Sequence, residues 1–207
     1  MSAPRALVLA LALAAASPVC AGEPVTSQGR RLAAALDSLD VESRWLPGAR
    51  VDWESGLPNG RPITRPGGHT HCSAFVAAAA LRLGVYILRP PEHGQTLLAN
   101  AQADWLAGEG ATHGWTPVAT AAQAQALANR GMLVVASYKN RRPDRAGHIA
   151  IVRPSDKSDA ALADEGPQVA QAGTVNAASV SLRVGFSHSP SALRYDLVRY
   201  FAHAIAP

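Results

Sequence analysis

Cysteine is nearly absent, since the 207 residues hold only Cys20 and Cys72. Loss of an N-terminal leader containing Cys20 would leave Cys72 alone, and no disulfide could then form within the chain. A solitary thiol in an oxidising compartment is buried and inert, paired with another chain, or kept for its reactivity. A second long apolar run is also missing after the one from Ala6 to Ala16, so no membrane span is expected in the mature chain. There is no dense cluster of Lys and Arg. The formal net charge of +4 falls by one if Arg5 is removed, which suits weak attraction to anionic polymers and argues against a nucleic-acid partner. No repeat or low-complexity block interrupts residues 22–207, which are read as a single domain.

What is present begins with a leader. Arg5, the apolar run from Ala6 to Ala16, and Val19 and Ala21 at the two small-residue positions form a secretory signal over 1–21, with Gly22 the expected new N-terminus. A lipidated Cys20 is the alternative, although Ser17-Pro18-Val19 lacks the usual lead-in. The expected location is secreted or periplasmic.

Beyond the leader, apolar spacing predicts an amphipathic helix from Ser27 to Leu39, then a loop rich in Gly, Pro and Arg from Pro47 to Gly68 that carries Trp53. A buried helix is expected to start between Thr70 and Ser73 and to stop at Gly84, because polar residues precede it, alanines fill it and glycine follows it. Two more helices, Gln95 to Leu106 and Thr120 to Arg130, lie in a stretch around 85–131. The period then changes to that of strands: Met132 to Ser137, His148 to Arg153, Gln168 to Ala172, Ser179 to Gly185 and Leu197 to Ala202. Helices first and an antiparallel sheet afterwards predict an α+β domain.

Two residues carry the chemistry. Cys72 stands where a helix starts, and the unpaired N–H groups and positive dipole end there stabilise a thiolate. His148, opening a strand directly after Gly147, can present its imidazole at the sheet edge, with Ala150 and Val152 on its side and Ile149 and Ile151 on the other. A nucleophile on a buried helix and a base on a strand are the parts of covalent acyl transfer.

Cys72-Ser73-Ala74-Phe75-Val76 resembles the Cys-Ser-Gly/Ala-Phe-Val opening of the NlpC-like cell-wall peptidases. Gly147-His148-Ile149-Ala150-Ile151-Val152 resembles their Gly-His-Val-Ala/Gly-Ile strand, and the CHAP amidases are similar. Gly131-Met132-Leu133-Val134-Val135 falls where these families place the preceding strand, and the likeness covers roughly Gly67 to Gly173. The resemblance implies a papain-like fold and a cysteine hydrolase that cleaves amide bonds, most simply those of peptidoglycan or another acyl or peptide substrate. It also places a third polar residue on the strand after the histidine strand; the Cys-His chemistry requires no cofactor, and a monomer is expected. Gln171 is the first choice there, with Asn176 and Gln168 behind it. The order of cysteine before histidine favours the peptidase and amidase branch over permuted lipid-acting relatives.

Departures from the pattern leave several readings open. His71 stands where the family usually has Asp, which makes it, with Trp53, a candidate for substrate contact; Trp53 can equally cover the edge of the core. The cysteine-to-histidine separation is long, so 85–131 reads as a helical insertion, whose Trp105, His113 and Trp115 serve packing more simply than sugar stacking. His69, His71 and Cys72 could instead bind copper or zinc, although their spacing does not suit a structural zinc site. A non-catalytic wall-binding domain of the same fold is the other competing reading.

Overall fold

The computed structural model describes residues 23–60 and 70–206. The expected leader over 1–21 with Cys20, the start of the likeness at Gly67, the loop end at Gly68, and His69 of the metal reading lie outside the described residues.

Helix α1, Ser27–Asp37, starts at Thr26, whose hydroxyl accepts the N–H of Gly29 at 3.1 Å. Helix α2, Cys72–Arg82, is buried from Cys72 to Ala80, and its alanines let it lie close against the sheet. Helix α3, Leu98–Ala107, follows, then a 3-10 turn, Glu109–His113, and strand β1, Thr116–Val118. Helix α4, Ala121–Asn129, is capped by Thr120. Strands β2, Leu133–Tyr138, and β3, His148–Val152, are buried along their whole length, as suits apolar runs covered on both faces. The chain continues through α5, Asp159–Glu165, β4, Gln168–Gln171, β5, Ala177–Ser181, α6, Leu182–Gly185, α7, Pro190–Arg194, and β6, Arg199–His203.

The strands form one antiparallel sheet in the order β1-β6-β2-β3-β4-β5. The described protein is therefore α+β. Alternation along the strands sorts the core into two sides. Val135, Ile149, Ile151, Ala170 and Ala172 join Cys72 and Phe75 in the larger cluster, while Val134, Ala150, Val152 and Val169 join Leu182 and Phe186 in the smaller. Helices cover both sides of the sheet, with α2 and α3 against β3 and α4 on the other face.

Several sequence expectations need correction. The strand expected over Ser179 to Gly185 ends at Ser181, whose hydroxyl accepts the N–H of Val184 and turns the chain into α6. Three residues with Pro117 at their centre form β1 at the sheet edge, a segment too short to show a period. The helix expected from Gln95 begins at Leu98, after Leu97 takes a left-handed conformation at φ 55°. Helix α5, capped by Ser158, was not expected at all, and it means that helices interleave with the strands instead of all preceding them. The stretch 85–131 contributes β1 to the sheet, α3 beside α2, and α4 on the opposite face.

Candidate active site

The nucleophile candidate is the first residue of α2. Its predecessor His71 occupies the N-cap without a side-chain cap and spends its imidazole elsewhere, donating from Nε2 to the carbonyl of Ala49 at 2.8 Å. The first-turn amides thus keep their positive potential for the sulfur, and the N–H of Ser73 and that of Ile149 on β3 both donate to it. Gln102 of α3 holds this turn in place by donating to the carbonyls of Ser73 and Leu88 at 3.1 and 3.0 Å.

His148 is the first residue of β3, and the loop before it is pinned. Asn100 of α3 donates to the carbonyl of Arg145 at 2.8 Å and accepts the N–H of Asn140 at 3.1 Å. Gly147 passes so close to this anchor that a Cβ would lie 2.6 Å from Asn100 Oδ1 and would strike the Tyr138 carbonyl. That crowding accounts for glycine before the histidine. Phe186 meets the imidazole edge-on, with centroids 4.6 Å apart.

Gln171 ends β4, and its Oε1 accepts from Nε2 of His148 at 2.9 Å. Its own amide donates to the Val175 carbonyl at 3.0 Å, which fixes which end of the amide faces the ring. With Nε2 engaged, Nδ1 is left for the hydrogen bond to Cys72. The three side chains lie on three different elements and are only 4%, 8% and 4% exposed for Cys72, His148 and Gln171.

Electrostatics in this buried chain favour charge separation. Burial pushes the Cys72 thiol up, but the His148 charge, its hydrogen bond and the two backbone N–H groups outweigh it and hold the thiol below its ordinary value. Burial pushes His148 down, and the Cys72 charge, its hydrogen bond and that of Gln171 bring the imidazole above its ordinary value. The two titrate as a pair. Cys72 also lines an open cleft of about 520 Å³, walled by His71, Gln95, Leu98 and Arg50 among others, so the buried sulfur has a route to a ligand.

The chain is similar to a peptidoglycan amidase. That curated protein, Peptidoglycan amidase Tse1 of Pseudomonas aeruginosa, is 32% identical over 117 residues, which are 56% of this chain. The matched segment spans 62% of the amidase, less than two thirds of its length. No protein-family model matches the chain.

The other residues singled out from the sequence lie apart from the imidazole. Asn176 accepts the N–H of Gly173 at 3.0 Å and donates to the carbonyls of Val41 and Arg44, both at 2.7 Å, so it ties the end of β4 to the segment after α1. Gln168, at the far end of β4, donates to Ser179. Trp53 packs against the larger core cluster, and its carbonyl accepts the indole N–H of Trp45 at 2.9 Å; it is not among the residues lining the cleft, whereas His71 is. Trp115 is buried with its indole N–H on the Tyr86 carbonyl, and Trp105 and His113 pack with Tyr86 at ring separations of 5.1 to 5.5 Å. Among the described residues no group of three or more His, Cys, Asp or Glu could hold a metal ion. Sequence reasoning missed Phe186, Asn100 and Arg50. Phe186 follows the stretch read as a strand, and neither Asn100 nor Arg50 belongs to a motif.

Proposed function

We propose that this protein is an exported cysteine hydrolase of papain-like architecture that cleaves amide bonds in peptidoglycan, with Cys72 as nucleophile, His148 as acid and base, and Gln171 as the residue that orients the imidazole. The observation that carries this reading is the continuous hydrogen-bonded chain from Cys72 through His148 to Gln171, with the first member open to a cleft. Similarity to an enzyme named a peptidoglycan amidase supports the substrate class.

In this mechanism the Cys72 thiolate attacks the amide carbonyl, and the oxygen gains negative charge beside the N–H of Cys72, which has no helical acceptor at the first position of α2. The imidazolium of His148 gives its Nδ1 proton to the leaving amine, and the C–N bond breaks to leave a thioester on Cys72. Neutral His148 then takes a proton from water, whose hydroxide attacks the thioester, releasing the acid and restoring the thiolate and imidazolium. Nε2–H stays bonded to Gln171 throughout, which keeps Nδ1 on the side of the reacting atoms.

Digestion of purified sacculi tests the proposal. The wild-type protein is expected to release soluble fragments with a new amine and a new carboxylate at one amide bond, and Cys72→Ala to release at least about 10³-fold less. Mass spectra showing every amide of the stem peptides and the sugar-to-peptide link intact after exhaustive digestion would overturn it.

A further inference from the structure

Among the described residues, the cleft leading to Cys72 carries charge of one sign. Arg50 is the charged group among its described lining residues, and none of those residues is a carboxylate. Nearby acids are occupied or face elsewhere: Asp52 accepts the N–H and hydroxyl of Ser55 at 2.8 and 2.7 Å, and Glu54 lines a separate hollow beside Arg82. Among the described residues Arg50 makes no ion pair.

Its position is built. The loop carrying Arg50 closes on itself through the Val51 to Pro58 bridge and the N–H of Asn59, which donates to the Arg50 carbonyl at 2.9 Å. One residue earlier, the Ala49 carbonyl takes the Nε2 proton of His71, the residue before the nucleophile, and one residue later the Val51 carbonyl takes the amide of Gln95 at 3.1 Å. An arginine whose backbone is anchored on both sides thus lines a cleft that also holds the positive terminus of α2. Such a surface is complementary to a carboxylate, which guanidinium can bind through two parallel N–H groups.

We propose that this cleft receives a substrate bearing a free carboxylate close to the scissile carbonyl, and that Arg50 is the residue that selects for it. The inference rests on the hydrolase reading above, and its occupant is an anionic acyl group in place of a neutral peptide.

Alkylation by two reagents of nearly equal size tests it. Iodoacetate and iodoacetamide react alike, the thiolate sulfur displacing iodide and forming one S–C bond, and differ in carrying a carboxylate or a neutral amide. The ratio of their rates at Cys72, measured at pH 6 and low ionic strength, cancels any change in the reactivity of the sulfur itself. We expect this ratio to fall about three- to fivefold in Arg50→Gln, the size of one exposed charge pair, and further in Arg50→Glu. With a peptide amide carrying the carboxylate and its carboxamide counterpart, kcat/KM in the wild type should favour the carboxylate, and Arg50→Gln should lose that preference. Rapid alkylation by both reagents with a ratio unchanged in both variants would overturn the role of Arg50 and leave the thiol chemistry standing. Slow alkylation by both reagents in the wild type would remove the hydrolase reading, and the inference with it.

Discussion

His148 and Gln171 meet through one hydrogen bond of 2.9 Å, from Nε2 to Oε1, and the glutamine is itself held by Val175 and closed in by Gly185, where a Cβ would come within 2.7 Å of Oε1. The orientation of the imidazole thus depends on a neutral amide with no freedom to turn. Gln171→Ala is expected to lower kcat by about 10- to 100-fold, the worth of one hydrogen bond to a charged group, with a smaller change in KM. Steady-state kinetics on released amine groups would check this.

The pH dependence of Cys72 alkylation follows from the two shifts. The thiol lies below its ordinary value and the imidazole above its own, so the charged pair exists over a window that starts on the acid side of a free thiol and ends on the alkaline side of a free imidazole. Iodoacetamide should therefore react rapidly at pH 6. In His148→Ala the sulfur keeps its burial and loses its counter-charge, and the rate at pH 6 should drop by roughly 100-fold or more, rising only as pH approaches that of an ordinary thiol. A wild-type rate that rises only at alkaline pH would contradict the pair.

Removing the sulfur tests the same pair from the other side. In Cys72→Ala the influence left on His148 is burial against one bond to Gln171, so its imidazole should titrate at lower pH than in the wild type. Nitrogen-15 chemical shifts of the ring across a pH series would show the direction.

Gly147→Ala forces a methyl group into the Tyr138 carbonyl and the Asn100 amide. The loop must move, at about 1–3 kcal/mol, and the imidazole moves with it. Urea unfolding and activity should fall together, whereas Gly94→Ala, with open space around its Cβ, should change neither.

Phe75 follows Cys72 by three residues in α2, fully buried and edge-on to Trp45 with centroids 5.4 Å apart. Phe75→Ala is expected to cost about 3–5 kcal/mol of stability. Denaturant titration should show a lower midpoint with little change in slope.

Much of the site was legible because its chemistry is bound to local structure. An alanine-rich run preceded by polar residues starts a helix at Cys72 whatever surrounds it, and Gly147-His148 before alternating apolar residues starts a strand. The third residue was legible only as a short set of choices. Gln168, Gln171 and Asn176 have the same kind of side chain, and the register of β4 on β3, together with the irregularity between Val169 and Gln171 where β4 pairs with β5, decided which one reaches the ring. The turn of Ser181 into α6 was hidden because Leu182 and Val184 carry apolar side chains that fit a strand equally well; the pull of the smaller core cluster on Leu182 and Phe186 decided their course.

By itself the amino-acid order determined that one thiol stands at a helix start, that one histidine opens a strand, and that helices and an antiparallel sheet share the chain. These follow from backbone propensity and the spacing of apolar residues, which act over a few positions. Tertiary structure alone decided which amide meets the imidazole, how α3 pins the loop before His148, and that Arg50 and Cys72 line one cleft. Each of those pairings brings together residues more than twenty positions apart, and their meeting is set by how the layers pack, for which no local pattern exists.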